Sequence, residues 1–169
     1  MKLDETTRGR VEAGLLDLDG SCRDINFAEG ISTSGSIEIM RFLMASWRLA
    51  QAMTGDGCEV VSAELSSTLR QPSGSISTVW KGGRNPEHIQ AYFQWLKPDK
   101  VFCELTFFPQ DFDNKTFTLQ GFLATLGQLV SAAQSEEYYL RYEDASWCHG
   151  QYEKDGVILS HKVLSLSAD

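Results

Sequence analysis

Lys100-Val101-Phe102-Cys103-Glu104-Leu105-Thr106-Phe107-Phe108 decides how the rest of the chain is read. Val101, Cys103, Leu105 and Phe107 alternate with Phe102, Glu104, Thr106 and Phe108, the period of two that puts successive side chains on opposite faces of a β-strand. Leu119, Phe122, Leu123, Leu126, Leu129, Val130 and Ala133 then recur at helical spacing. Thr118 stands where it caps that helix, and Phe117 and Phe122 occupy the two positions of a hydrophobic staple. Tyr138, Leu140 and Tyr142 resume the alternation. Lys100 to Trp147 is therefore a strand–helix–strand unit against which everything else must pack. A core unit of this kind names no chemistry.

Working toward the N-terminus, Asp4 to Glu12 is a polar lead-in and Val11 to Leu18 reads as a short strand. Asp19-Gly20 suits a two-residue hairpin turn, since both positions tolerate positive φ, and Cys22 to Phe27 returns. Glu29 to Gly35 is a loop in which Thr33 or Ser34 caps a helix from Ile37 to Met53, with Gly55 as its stop. Cys58 to Leu65 and Ile76 to Trp80 read as strands around a polar loop, Ser66 to Ser75. Lys81-Gly82-Gly83-Arg84 turns the chain. Asn85 caps and Pro86 opens a second helix, with Ile89, Tyr92, Phe93 and Leu96 on one face and Pro98 at its end. Beyond a polar connection from Asp144 to Asp155, Val157 to Leu164 is a last strand, expected antiparallel to residues 138–143. Helices and strands do not alternate strictly. The order predicts an α+β fold in one domain spanning 1–169, with three helices against one mixed or mainly antiparallel sheet.

Hydrophobic residues make up 42% of the 169 residues, enough to build a core, so disorder is not the default reading. Acidic residues outnumber basic ones 23 to 15, for a formal net charge of −8. Such a surface repels the nucleic acid backbone and anionic lipid, and favours a basic partner. Met1 to Glu12 lacks the apolar segment of a signal peptide, and no apolar run approaches the roughly 20 residues that span a bilayer. The expectation is a cytoplasmic protein with no membrane or nucleic acid partner. Cys22, Cys58, Cys103 and Cys148 have neither zinc-site nor disulfide-scaffold spacing, so they read as reduced thiols, with Cys103 buried in its strand. No metal or cofactor is expected.

Leu15-Leu16-Asp17-Leu18-Asp19-Gly20-Ser21 is similar to the first motif of haloacid-dehalogenase-type phosphatases. There an Asp-x-Asp-Gly follows a strand, the first Asp is the nucleophile, the second a general acid/base, and Mg²⁺ holds the phosphate. Asp17 and Asp19 would take those roles, and Asp111 and Asp113 the later acidic pair. The β/α alternation of that family is missing, and a hairpin turn explains the stretch more simply. His88, His149 and His161 lie far apart. Cys148 and His149 are adjacent, and adjacent side chains in a strand point to opposite faces. There is no nucleophile elbow, phosphate loop or dinucleotide fingerprint, so the chain reads as a non-enzyme. Tyr138, Tyr139, Tyr142, Trp147 and Tyr152 gather with Glu136, Glu137, Glu143, Asp144 and Glu153. That mixture suits either a sheet with one packed and one solvated face, or an interface in which aromatics anchor and carboxylates meet basic groups. Tyr139, Arg141 and Glu143 share a face and are exposed together if Tyr138, Leu140 and Tyr142 point inward.

Asp99 to Pro109, then Phe117-Thr118-Leu119, then Glu137 to Trp147 resemble small acidic immunity proteins of bacterial polymorphic toxin systems, whether contact-dependent or secretion-delivered. The segment spans about a quarter of the chain and carries no catalytic signature. The resemblance implies a non-enzymatic inhibitor that binds a cognate, basic toxin domain in the cytoplasm and occludes its active site. The toxin-binding candidates, taken from the aromatic and acidic pattern, are Asp111, Asp113, Tyr139, Arg141, Glu143, Asp144 and Trp147. The chain would act as a monomer or homodimer. Two other classes remain: a small Mg²⁺-dependent phosphatase-like enzyme using Asp17 and Asp19, and a scaffold module that dimerises through the Tyr139/Arg141 face.

Overall fold

The computed structural model describes residues 3–145 and 156–162. Its elements run α1 (Glu5–Leu16), β1 (Arg23–Phe27), α2 (Thr33–Ser46), β2 (Arg48–Thr54), α3 (Leu65–Thr68), β3 (Gly74–Lys81), β4 (His88–Trp95), β5 (Val101–Phe107), α4 (Leu119–Ala133), β6 (Tyr138–Tyr142) and β7 (Val157–Ser160). The strands form one sheet in the order β2-β3-β4-β5-β1-β6-β7, and every neighbouring pair is antiparallel. The fold is thus α+β, as the sequence order predicts.

β5 and β6 both pair with β1, so they run parallel to each other and α4 is the crossover between them. α2 makes the other long connection, from central β1 to the far edge at β2. The two helices approach closely where α2 begins and α4 ends. A Cβ on Gly35 would lie 2.3 Å from the Ala133 carbonyl oxygen, a space only glycine fits. Ser32 caps α2 by accepting the Gly35 N–H, and Thr118 caps α4 by accepting that of Gly121.

β3, β4 and β5 each bury one alternate set, while β1 and β6 are buried on both faces. Ile25, Phe27, Ala91, Phe93, Leu105 and Leu140 join Val11, Leu15, Ile39, Leu43, Phe122 and Leu126 of the helices in a continuous core. Phe112 ties the α4 entry to that core, its ring centroid 4.8 Å from Phe117 and 5.8 Å from Phe122. The staple expected from sequence therefore works through a third ring.

The strand–helix–strand unit, β3, and the antiparallel pairing of β6 with β7 follow the sequence reading. Four expected elements fail, and α2 is capped by Ser32 rather than by Thr33 or Ser34. Val11 to Leu18 is not a strand: Asp4 accepts the Thr7 N–H and starts α1, so the polar lead-in is helical and Asp19-Gly20 joins a helix to a strand. The helix expected over Ile37 to Met53 stops at Ser46, and β2 follows, held by β3. Cys58 to Leu65 gives a 3₁₀ turn over Ser62–Glu64 and the start of α3. Pro86 opens no helix; residues 82–87 link two hairpin strands, and Ile89, Ala91, Phe93 and Trp95 alternate inward along β4. Leu96, expected on the packed face, is 84% exposed. β7 ends at Ser160. Trp147, Cys148, His149, Tyr152 and Glu153 lie outside the described residues.

Candidate functional site

An antiparallel sheet covered by helices on one side presents its other alternate set away from the core. Here that set forms ordered rows. Tyr92, Glu104, Asn26, Tyr139 and Ser160 stand side by side across β4, β5, β1, β6 and β7. Gln90, Thr106, Asp24 and Arg141 form the next row across β4, β5, β1 and β6. Toward β3 and β4 this face is exposed, at Ser77, Gln90 and Gln94. Toward β1 and β6 it is closed: Asp24 is 4% exposed, Arg141 8% and Tyr139 fully buried.

The expected joint exposure of Tyr139, Arg141 and Glu143 is therefore overturned. The alternation is right, because Tyr139 and Arg141 do share the face away from Leu140. Its consequence differs, since the face is buried there. Tyr139 donates its hydroxyl to Glu137. The same burial removes a dimer contact through Tyr139 and Arg141.

Arg141 organises the closed end. Its Nη2 lies 2.9 Å from Glu104 Oε2 and 3.0 Å from Asp24 Oδ2, and its Nε donates to Asn26 Oδ1 at 2.9 Å. Asn26 donates to the same Glu104 oxygen at 3.0 Å, and the Thr106 hydroxyl to Asp24 at 2.7 Å. Two carboxylates thus share one guanidinium, leaving an excess negative charge in a half-closed site. Burial is the main reason the Asp24 carboxyl sits above its ordinary value, with the Glu104 charge adding to it against the Thr106 hydrogen bond and Arg141.

The other edge of the guanidinium serves the backbone. Nη1 donates to the Tyr142 and Glu143 carbonyls, each at 3.0 Å. The Glu143 N–H donates to Cys22 O, and the Ala145 N–H closes the turn onto Tyr142 O. Glu143 and Asp144 are exposed on that turn. Of the residues singled out from sequence, then, Arg141 and Tyr139 support, Glu143 is exposed while its carboxylate accepts the Cys22 N–H at 3.4 Å, and Asp144 is displayed.

The remaining candidates lie elsewhere. Asp111 accepts from His88 Nδ1 at 2.8 Å and from the Phe108 N–H at 3.2 Å, at one end of the open face. Asp113 accepts from the Lys115 N–H and the Thr116 hydroxyl, and so shapes the loop into α4. Asp17 and Asp19 follow a helix. The buried Arg23 takes the Asp17 carbonyl at 2.8 Å, and the Asp19 carboxylate accepts from Ser21 and faces Arg23 at 3.3 Å. Among the described residues no group of three or more His, Cys, Asp or Glu is placed to hold a metal ion. Burial and then Glu143 push the Cys22 thiol up to about 12, and burial drives Cys103 well above its ordinary value, so both are held as thiols.

Asp24, Asn26 and Glu104 were not among the sequence candidates. Glu104 carried a signal, as a carboxylate inside an alternating strand on the face away from the core. Which strand would sit opposite it was not legible. No helix among the described residues is long and apolar enough to cross a membrane. Comparison with protein-family models, with curated proteins and with solved structures gives no match.

Proposed function

We propose that the chain is a non-enzymatic immunity protein, which binds the basic surface of a cognate toxin domain and occludes its active site. The resemblance of Asp99 to Pro109 and Glu137 to Trp147 to such proteins supports the reading. One observation carries it: Glu143 and Asp144 are displayed on a turn whose carbonyls the buried Arg141 clamps, beside a cluster where carboxylates outnumber the guanidinium. A turn whose backbone is already fixed lowers the ordering cost when its carboxylates bind a cation. They also steer a positively charged partner toward the face and disfavour a negative one. Where the toxin is a nuclease, its active cleft is basic, and rigid carboxylates compete there with the phosphates of its substrate.

The test is protection in cells. The toxin domain encoded beside this chain is produced in a host with and without it. Growth is restored by the wild-type chain and lost with the double variant Glu143→Lys/Asp144→Lys, with Glu143→Gln/Asp144→Asn, which keeps an acceptor for the Cys22 N–H, as the variant that separates lost charge from lost folding. Undiminished killing in the presence of the wild-type chain would contradict the proposal.

A further inference from the structure

On a chain of net charge −8, one cavity on the open sheet face is lined by Lys81 and His88, with the Asp111 carboxylate beside the His88 ring. Lys81 and His88 are directly opposed partners on β3 and β4, so their side chains rise together from the same face. One row further along, Val79, Gln90 and Thr106 stand abreast on β3, β4 and β5. Phe108 closes the β5 side. The cavity measures about 300 Å³, at the small end of ligand pockets.

His88 is oriented rather than loose. An ionised carboxylate only accepts, so Asp111 accepts a hydrogen bond from Nδ1–H at 2.8 Å. Asp111 is itself fixed by the Phe108 N–H and, through its carbonyl, by the Glu87 N–H at 2.7 Å. Nε2 is then the nitrogen left for a ligand. Lys81 makes no ion pair among the described residues. Val79 and Phe108 supply apolar wall, and Gln90 an amide.

We infer that this cavity binds a small molecule joining a flat apolar body to an anionic head, the head between Lys81 Nζ and His88 Nε2 and the body against Val79 and Phe108. The inference is separate from partner binding, which uses the turn at Glu143 and Asp144.

The test is an amide-resolved NMR titration of the full chain with sodium benzoate at constant ionic strength. Benzamide serves as the uncharged isostere and inorganic phosphate as the head without a body. Benzoate is expected to saturate shifts at Val79, Lys81, His88 and Gln90, with Kd on the order of 1 mM for so small a probe. Benzamide and phosphate should each bind about tenfold more weakly, as should benzoate to Lys81→Met or His88→Gln. Both positions are exposed, and the remote exposed variant Arg41→Met should bind like the wild type. The inference is overturned if benzamide or phosphate equals benzoate, if either pocket variant binds unchanged, or if shifts spread over the basic surface without saturating at these residues.

Discussion

Arg23 shows how one side chain can replace a helix terminus signal. α1 ends without a C-terminal glycine in the left-handed conformation. Arg23, fully buried, supplies the missing donors: Nε to the Gly14 carbonyl at 2.7 Å and Nη2 to that of Asp17 at 2.8 Å. Its guanidinium also stacks 4.1 Å from the centroid of the Tyr142 ring. A lysine has neither the fork nor the plane, so Arg23→Lys should lower stability by roughly 2–4 kcal/mol in chemical denaturation. Asp19→Asn, which touches only the exposed rim of the same site, should leave the denaturation midpoint nearly unchanged. Asp24 gives a pH signature. Its native carboxyl titrates above the unfolded value of 3.8, so across that interval the folded state holds more proton and gains stability as pH falls. The stability of wild type minus that of Asp24→Asn should therefore fall as pH rises from 3.8 through the native value, read from denaturation at a series of pH values. A rise of wild type relative to Asp24→Asn over that interval would mean that Arg141, rather than burial, dominates.

At the scale of elements, the start of α2 meets the end of α4 in a joint that leaves no room for a side chain. Gly35→Ala should cost about 1–3 kcal/mol, because the Ala133 carbonyl is backbone and cannot step aside. Gly9, exposed in the interior of α1 with nothing within 4 Å of where a Cβ would stand, is the control; Gly9→Ala should stabilise by roughly 0.5–1 kcal/mol. Thermal or chemical unfolding of the pair checks both signs. The sequence made β5, α4 and β6 legible because each keeps a single period over its whole length. β4 kept one too: Ile89, Ala91, Phe93 and Trp95 alternate without a break. Pro86 and a competing helical set that included Leu96 obscured it. β2 had no such signal. Arg48, Leu49, Ala52 and Met53 suit a helix, and only pairing with β3 makes them a strand, a tertiary effect that propensity does not carry. α1 signed itself through the Asp4 cap and Val11/Leu15 spaced four apart, but the alternation of Leu16 and Leu18 competes with that signal. The site was legible only in part. Glu143 and Asp144 stood in a polar stretch, whereas the Asp24–Arg141–Glu104 cluster unites β1, β6 and β5, whose adjacency is set by the topology.

Across the whole molecule, support and display fall to different residues. The helices and the inward strand faces make the core, the Arg141 network fixes a turn, and the turn holds carboxylates outward on a chain of net charge −8. Attraction of that kind acts across solvent and is screened by salt, with a Debye length of about 10 Å at 0.1 M. The most direct measurement is the affinity of the purified chain for the toxin domain encoded beside it, by calorimetry at low and high salt, with wild type and Glu143→Lys/Asp144→Lys side by side. The expected result is a stoichiometric complex that weakens with salt and loses at least about tenfold in affinity in the double variant, or roughly 1.4 kcal/mol. No complex with the wild-type chain, or one indifferent to both salt and the charge reversals, would contradict it.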